Sequence, residues 1–297
     1  MRRVVHVGPT MAKGGMASVI HLLAANPPEG WRSSSCNTFS TKGLRRKMKR
    51  WRIAKKQIKN GDFDLVHIHC AAGWSYRRKL SIAKVANAPV IFHIHSGQFD
   101  IDTKSDLDEY QVVCLSEAWS EKLKHLVGDS LSVPNPVDAK LKKGVKRENF
   151  TLLMGRDDPV KGHEFSYSLG LDDLRVTGVD SAPEGVTALG WVSEEEKWNL
   201  LQTAGCLIVP SGFEGQPMVI LEALAAGCPV VASTNVPDLP ACVKTVDLGD
   251  IEAWKEAIAS PITEGLQDSV TKHQIDLVTK QWGEIYDNIM DSKASTE

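Results

Sequence analysis

No stretch of this sequence approaches the roughly 18 uninterrupted apolar residues of a membrane-spanning helix. Met1-Arg2-Arg3 is followed only by Val4 to Val7 before Gly8-Pro9, so neither a leader peptide nor a hydrophobic anchor is expected. Cysteine is sparse: Cys36, Cys70, Cys114, Cys206, Cys228 and Cys242 stand singly, with no C-x-x-C. That excludes a disulfide scaffold, and cysteines inside runs such as Val112-Val113-Cys114-Leu115 read as small core hydrophobes in a reducing, cytoplasmic setting. Repeats of solenoid period and low-complexity tracts are also missing. What remains, 42% hydrophobic and 24% charged residues over 297 positions, is the composition of a globular protein long enough for two domains.

The net charge of −2 conceals an asymmetry. Residues 1–140 hold 22 Lys+Arg against 12 Asp+Glu, whereas residues 141–297 hold 13 against 25. A basic half followed by an acidic half predicts two domains with different partners.

Both halves alternate short apolar strands with helical patterns. Val4–Val7, Leu65–His69, Pro89–Ile94 and Gln111–Leu115 are strand-like, with helix-length segments at Ser75–Asn87 and Glu117–Val127, where Ser116 is the expected cap. The turn-rich Val133-Pro134-Asn135-Pro136-Val137-Asp138 and the polar run to Asn149 read as a linker. Alternation resumes with Phe150–Met154, Cys206–Pro210 and Pro229–Ala232, and Pro217–Ala226 reads as a helix closed by Gly227. Such alternation predicts parallel sheets covered on both faces. The segment between Glu164 and Ser193 is thin for that architecture.

Chemistry concentrates in Pro210-Ser211-Gly212-Phe213-Glu214-Gly215-Gln216-Pro217-Met218 and the helix that follows. A strand end, a loop and a helix N-terminus converge there, so backbone amides around Gly215, Gln216 and Met218, together with the positive end of the helix, can receive an anion. Glu222, about one and a half turns into that helix, can reach a neighbouring hydroxyl pair such as a ribose. A carboxylate inside Met-Val-Ile-Leu-Glu-Ala-Leu-Ala-Ala is costly to bury without a partner. Arg156 and Lys161 supply a fork and a point charge, which suits a departing diphosphate without a metal. Gly14-Gly15, directly after the first strand, allows close backbone approach to a phosphate or sugar. His93 and His95 are read as facing opposite sides of their strand, so that only one serves a site. With His67 and His69 they suggest zinc, but no carboxylate or cysteine completes a ligand spacing, and no metal is expected. Asp62-Phe63-Asp64, Asp100-Ile101-Asp102 and Asp106-Leu107-Asp108 read as solvated loop carboxylates.

These segments together resemble the family 4 retaining glycosyltransferases of GT-B fold. Residues 210–231 are similar to the family's paired-glutamate motif, Met154–Gly162 to its Gly-Arg…Lys-Gly segment, and Leu189-Gly190-Trp191-Val192-Ser193 to its Gly-x-Val turn. Val133–Asp138 resembles the hinge, Gly14-Gly15-Met16 the N-terminal glycine loop, and His93–Gly97 the end of the fourth strand. The resemblance implies two Rossmann-like domains facing a central cleft: an acceptor-binding domain at 1–140 and a nucleotide-sugar-binding domain at 141–297, with the last helix able to cross back. It implies transfer with retention from a nucleotide-diphosphate sugar to a hydroxyl acceptor, lipid-linked or on a surface glycan. Arg156 and Lys161 would meet the diphosphate, Glu214 the sugar, Glu222 the ribose, and His95 the reacting centre; Val192 belongs to the donor site. The alternatives are a transferase acting on a modified nucleic-acid base and a non-catalytic sugar-nucleotide-binding module.

One stretch stands outside that pattern. Residues 42–59 contain ten Lys or Arg and no acid, while Leu44, Met48, Trp51 and Ile58 recur on one helical face. The apolar stripe is expected to pack on the sheet and the charges to meet an anionic membrane surface, with nucleic acid as the less favoured partner.

Overall fold

The computed structural model describes residues 1–41, 43–71, 73–95 and 104–294. The chain forms two compact units, one of residues 1–136 with 273–297, the other of residues 137–272.

The first unit is built on β1 (Arg2–Gly8), β2 (Trp31–Asn37), β3 (Leu65–Cys70), β4 (Val90–Ile94), β5 (Gln111–Cys114) and β6 (Leu131–Ser132), all parallel, in the order β2-β1-β3-β4-β5-β6. Every residue of β3 and β4 is buried, as in a sheet covered on both faces. Around it lie α1 (Gly15–Ala25), α2 (Leu44–Asn60), α3 (Trp74–Ala83), the short α4 (Lys104–Leu107) and α5 (Glu117–Val127), which starts where the Ser116 hydroxyl accepts the Trp119 amide at 3.3 Å.

The second unit carries β7 (Thr151–Leu153), α6 (His163–Ser168), β8 (Leu174–Val176), β9 (Val186–Ala188), α7 (Glu194–Thr203), β10 (Cys206–Val209), α8 (Met218–Ala225), β11 (Val230–Ser233), β12 (Lys244–Val246) and α9 (Ile251–Ala259). Its sheet is again parallel, in the order β12-β11-β10-β7-β8-β9. The thin segment holds both β8 and β9, joined by residues 177–185 with no helix between them. The sheet therefore keeps six strands and loses a crossover helix. Its core gathers Leu153, Leu169, Val176, Ile208 and Trp254.

The boundary placed at residue 140 lies instead at Pro136/Val137, and the chain leaves the second unit again at Lys272/His273. The reason is α10 (Ile275–Ala294), whose buried Val278, Trp282 and Tyr286 find their cover in the first unit. The Tyr286 hydroxyl lies 2.7 Å from His67 Nδ1, and Trp31 donates to Asp287 at 3.0 Å.

The stripe on α2 is also placed differently from expectation. Only Ala54 and Ile58 are buried, whereas Leu44 is 77% exposed and Met48 39%. Trp51 is half-buried, its indole N–H donating to Ser81 Oγ at 2.9 Å. The N-terminal half of α2 thus leaves its apolar residues uncovered. Lys42 lies outside the described residues.

Candidate active site

Strand order locates the site. The chain runs from β7 out to β8 and β9, then returns to β10 on the other side of β7, so the loops after β7 and β10 diverge. A crevice opens at such a reversal, beyond the carboxyl ends of the strands. The two loops, Met154–Gly162 and Pro210–Pro217, hold the Arg156/Lys161 and Glu214 motifs.

These loops are tied together. The Gly212 amide donates to the Val160 carbonyl at 2.8 Å. Gly162 has φ 74°, and a Cβ there would stand 2.1 Å from the Pro210 carbonyl oxygen, so only glycine permits the approach. Lys161 Nζ consequently pairs with the Glu214 carboxylate, which also accepts the Ser211 hydroxyl at 2.9 Å. Arg156 is held separately: its guanidinium bonds Asp158 at 2.8 and 3.1 Å. Asp158 also accepts the Val160 amide at 3.1 Å; this bond, ahead of the nearby Arg156, holds its carboxyl below the usual range.

Glu214 leads through Gly215, Gln216 and Pro217 into α8, whose first residue, Met218, is buried with Pro217. Glu222 is 6% exposed, and burial pushes its carboxyl up. Its partner is Lys197 of α7, at 2.7 Å, which also bonds Glu194 at 3.0 Å. Against a burial that opposes its charge, the neighbouring Glu222 and Glu194 hold the Lys197 ammonium above its ordinary value. Lys197 was not foreseen. The available signal was Ser193-Glu194-Glu195-Glu196, a capping box that starts α7 with Lys197 one residue beyond it. Val192 is half-buried just ahead of that cap, after the half-exposed Trp191.

In the first unit the reversal lies between β1 and β3. The turn after β1 ends at Gly14, with φ 143°, and Gly15 opens α1. The nearby histidines differ from expectation: side chains two apart in a strand share a face, so His93 and His95 lie together, ring centroids 4.0 Å apart. His95 Nε2 is 3.0 Å from His69 Nδ1. Burial, with nearby Lys79, lowers His95 to about 3. Lys79, on α3, is itself buried and lowered to about 8, and donates to Ser75 Oγ at 3.1 Å. The sequence hid it inside Arg77-Arg78-Lys79, which reads as a solvated run.

Asp62 and Asp64 serve the fold: Asp62 accepts Arg3 Nη1 and Asp64 accepts the Arg3 amide, each at 2.6 Å. Asp106 lies 3.8 Å from Lys84 at the surface, and Asp100 and Asp102 lie outside the described residues.

Residues 142–264 match the family described as Glycosyl transferases group 1. The chain is 28% identical over 239 residues to the phosphatidyl-myo-inositol mannosyltransferase of Mycolicibacterium smegmatis, covering 67% of this chain and 60% of that protein. An 80-residue stretch is 39% identical to the O-antigen chain mannosyltransferase B of Escherichia coli, 27% of this chain and 21% of that one. Among solved structures, a sucrose-phosphate synthase from Thermosynechococcus elongatus superposes with a TM-score of 0.76 at 16% identity, over 98% of this chain and 100% of that one. Two Rossmann-like units of GT-B type are the fold these likenesses share.

Proposed function

We propose, from the premise that residues 142–264 are a group 1 glycosyltransferase domain, that this glycosyltransferase moves a sugar from a nucleotide-diphosphate donor to a hydroxyl acceptor with retention. The observation that carries the reading is the joining of Lys161, Glu214 and Ser211 at the strand reversal of the second sheet, ahead of α8. Lys161 and Arg156 stabilise the departing diphosphate, and the Gly215–Met218 turn lends amides to the same charge. Lys161 exchanges its Glu214 partner for phosphate oxygen, which frees the carboxylate to accept sugar hydroxyls. Glu222, paired with Lys197, accepts the ribose hydroxyls, with Val192 on the same donor site. In the first unit, Gly14-Gly15 and His95 take the sugar and acceptor side.

The acceptor class is a lipid-linked or surface glycan. In support, α2 presents exposed Leu44 and Met48 among cations, none of which pairs with a carboxylate among the described residues. Each cation near an anionic headgroup contributes about 1 kcal/mol. No described helix is long and apolar enough to cross a membrane.

The test is incubation with a panel of nucleoside diphosphate sugars and acceptors, following nucleoside diphosphate release and the anomeric configuration of the product. An α-linked donor giving an α-linked product, in EDTA, is expected. Binding without turnover across the panel would leave a sugar-nucleotide-binding module. Loss in EDTA restored by manganese would move charge neutralisation to a metal. Co-sedimentation with anionic vesicles, abolished when Arg45, Arg46, Lys49 and Arg50 are neutralised, is expected; a gel shift with DNA and no vesicle binding would favour the nucleic-acid reading instead.

A further inference from the structure

His6, His67, His69, His93 and His95 project from β1, β3 and the end of β4 onto one face of the first sheet, beside Trp282 and Tyr286 of α10. The first four are fully buried and His95 half-buried. A hydrophobic core has no need of five imidazoles, and each buried ring nitrogen without a partner costs about 1–3 kcal/mol. Two such nitrogens are present, His6 Nε2 and His93 Nε2.

We propose that His69, His93 and His95 bind one zinc ion. The three rings each offer a nitrogen, all within 4.8 Å of one another. His69 Nδ1 and His95 Nε2 are already 3.0 Å apart, close to the roughly 3.3 Å between two nitrogens on one tetrahedral zinc with bonds of about 2.0–2.1 Å. His93 Nε2 has no protein partner to give up as its ring turns inward.

The outer hydrogen bonds suit the same assignment. A ligating histidine nearly always donates its other ring N–H to a second group, which fixes the tautomer. With the zinc on His69 Nδ1, His69 Nε2–H donates to His6 Nδ1, 3.0 Å away. With the zinc on His93 Nε2, His93 Nδ1–H donates to His67 Nε2 at 3.3 Å, and His67 Nδ1–H donates to the Tyr286 hydroxyl at 2.7 Å. His69 and His93 thus each present a lone pair inward and a proton outward. Zinc replaces the hydrogen bond between His69 and His95, and because all three rings enter neutral, no net proton is released. Burial lowers His69 and His93 well below their ordinary value and His95 to about 3, which keeps the lone pairs available at neutral pH. All-imidazole donors select zinc, cobalt, nickel or copper over magnesium and calcium. The half-buried His95 is the entry side and leaves a fourth position for water. The Lys79 ammonium, depressed to about 8, is the charged neighbour that opposes the cation. The proposal stands on this geometry and not on the transferase reading, and it gives the His95 ring to the metal in place of the acceptor-side role proposed above.

The full chain, stripped with chelator and dialysed, should be titrated with Co²⁺ and then Zn²⁺. One equivalent of Co²⁺ should give the visible bands of a tetrahedral site, bleached by one equivalent of Zn²⁺. X-ray absorption at the zinc edge should show imidazole scattering. His93→Gln should weaken zinc binding at least about 100-fold, and the outer His67→Gln about 10–100-fold. His21→Gln, in α1, should change nothing. If His93→Gln fails to fold by circular dichroism, His95→Gln at the half-buried end gives the same readout. Substoichiometric uptake, a shell without imidazole, or unchanged affinity in the folded His93 or His95 variant would overturn the assignment.

Discussion

Lys197 and Glu222 form an ion pair with only 13% and 8% of their side chains exposed. Removing one partner from such a pair leaves a buried charge alone, which costs about 3–5 kcal/mol. Lys197→Ala should therefore lower the thermal midpoint of the second unit by several degrees in calorimetry, and Lys197→Met with Glu222→Leu should recover most of it. Donor affinity should not recover in the double variant; if it does, Glu222 has only a packing role. Arg156 makes a different demand, because it is 58% exposed beside Asp158, whereas Lys161 is 26% exposed and its partner Glu214 only 12%. Arg156→Ala should leave stability unchanged and Lys161→Ala should lower it, because Glu214 then loses its cation, while each should reduce turnover on the order of 10²–10³-fold, as loss of a transition-state donor does. Undiminished turnover in both folded variants would remove them from the reaction.

At the scale of elements, the proposed donor site depends on two loops meeting, and Gly162 is the contact that lets them. An added Cβ would both clash with the Pro210 carbonyl and strain a φ of 74°. Gly162→Ala should cost more than about 1 kcal/mol in denaturant unfolding and, by parting Lys161 from Glu214, raise the donor KM. Gly144→Ala, also at positive φ but with open space around it, carries the strain without the clash and should leave KM unchanged. Gly178 makes a similar approach, its absent Cβ lying 1.9 Å from the Gly155 carbonyl oxygen, so the Arg156 loop is braced from β8 as well. This bracing occupies the short segment where a crossover helix would otherwise stand.

For the whole molecule, the return of α10 changes the charge division: the first unit carries +7 and the second −9. It also seals a histidine-rich face against solvent, and that makes stability depend on pH. His6 is lowered to about 3 by burial, and His67, His69 and His93 are lowered well below the ordinary value for the same reason. These groups are neutral when folded and take up protons on unfolding below about pH 6.5. Their contribution is therefore complete above that value and is lost as pH falls through it, at up to about 1.4 kcal/mol per histidine per pH unit. The metal-free chain should show a thermal midpoint that drops steeply between pH 6.5 and pH 5. A flat profile over that range would mean that the cluster is hydrated in solution.

The sequence by itself determined the two parallel sheets, because alternating apolar runs and helix-length segments leave few other arrangements, and it determined the Lys161, Glu214 and Glu222 motifs, because each sits beside a strand end or helix start. It also marked 42–59 as unusual through uncompensated charge. Tertiary structure decided the rest. Lys197 meets Glu222 across 25 positions and Lys161 meets Glu214 across 53, distances that no local pattern encodes. The division at Pro136 and Lys272 followed from where α10 could bury Trp282 and Tyr286, which its own periodicity does not reveal. The five histidines became one cluster only when parallel pairing set His6 beside His67 and His69 beside His93, since register between strands is a property of the folded sheet and not of any one segment.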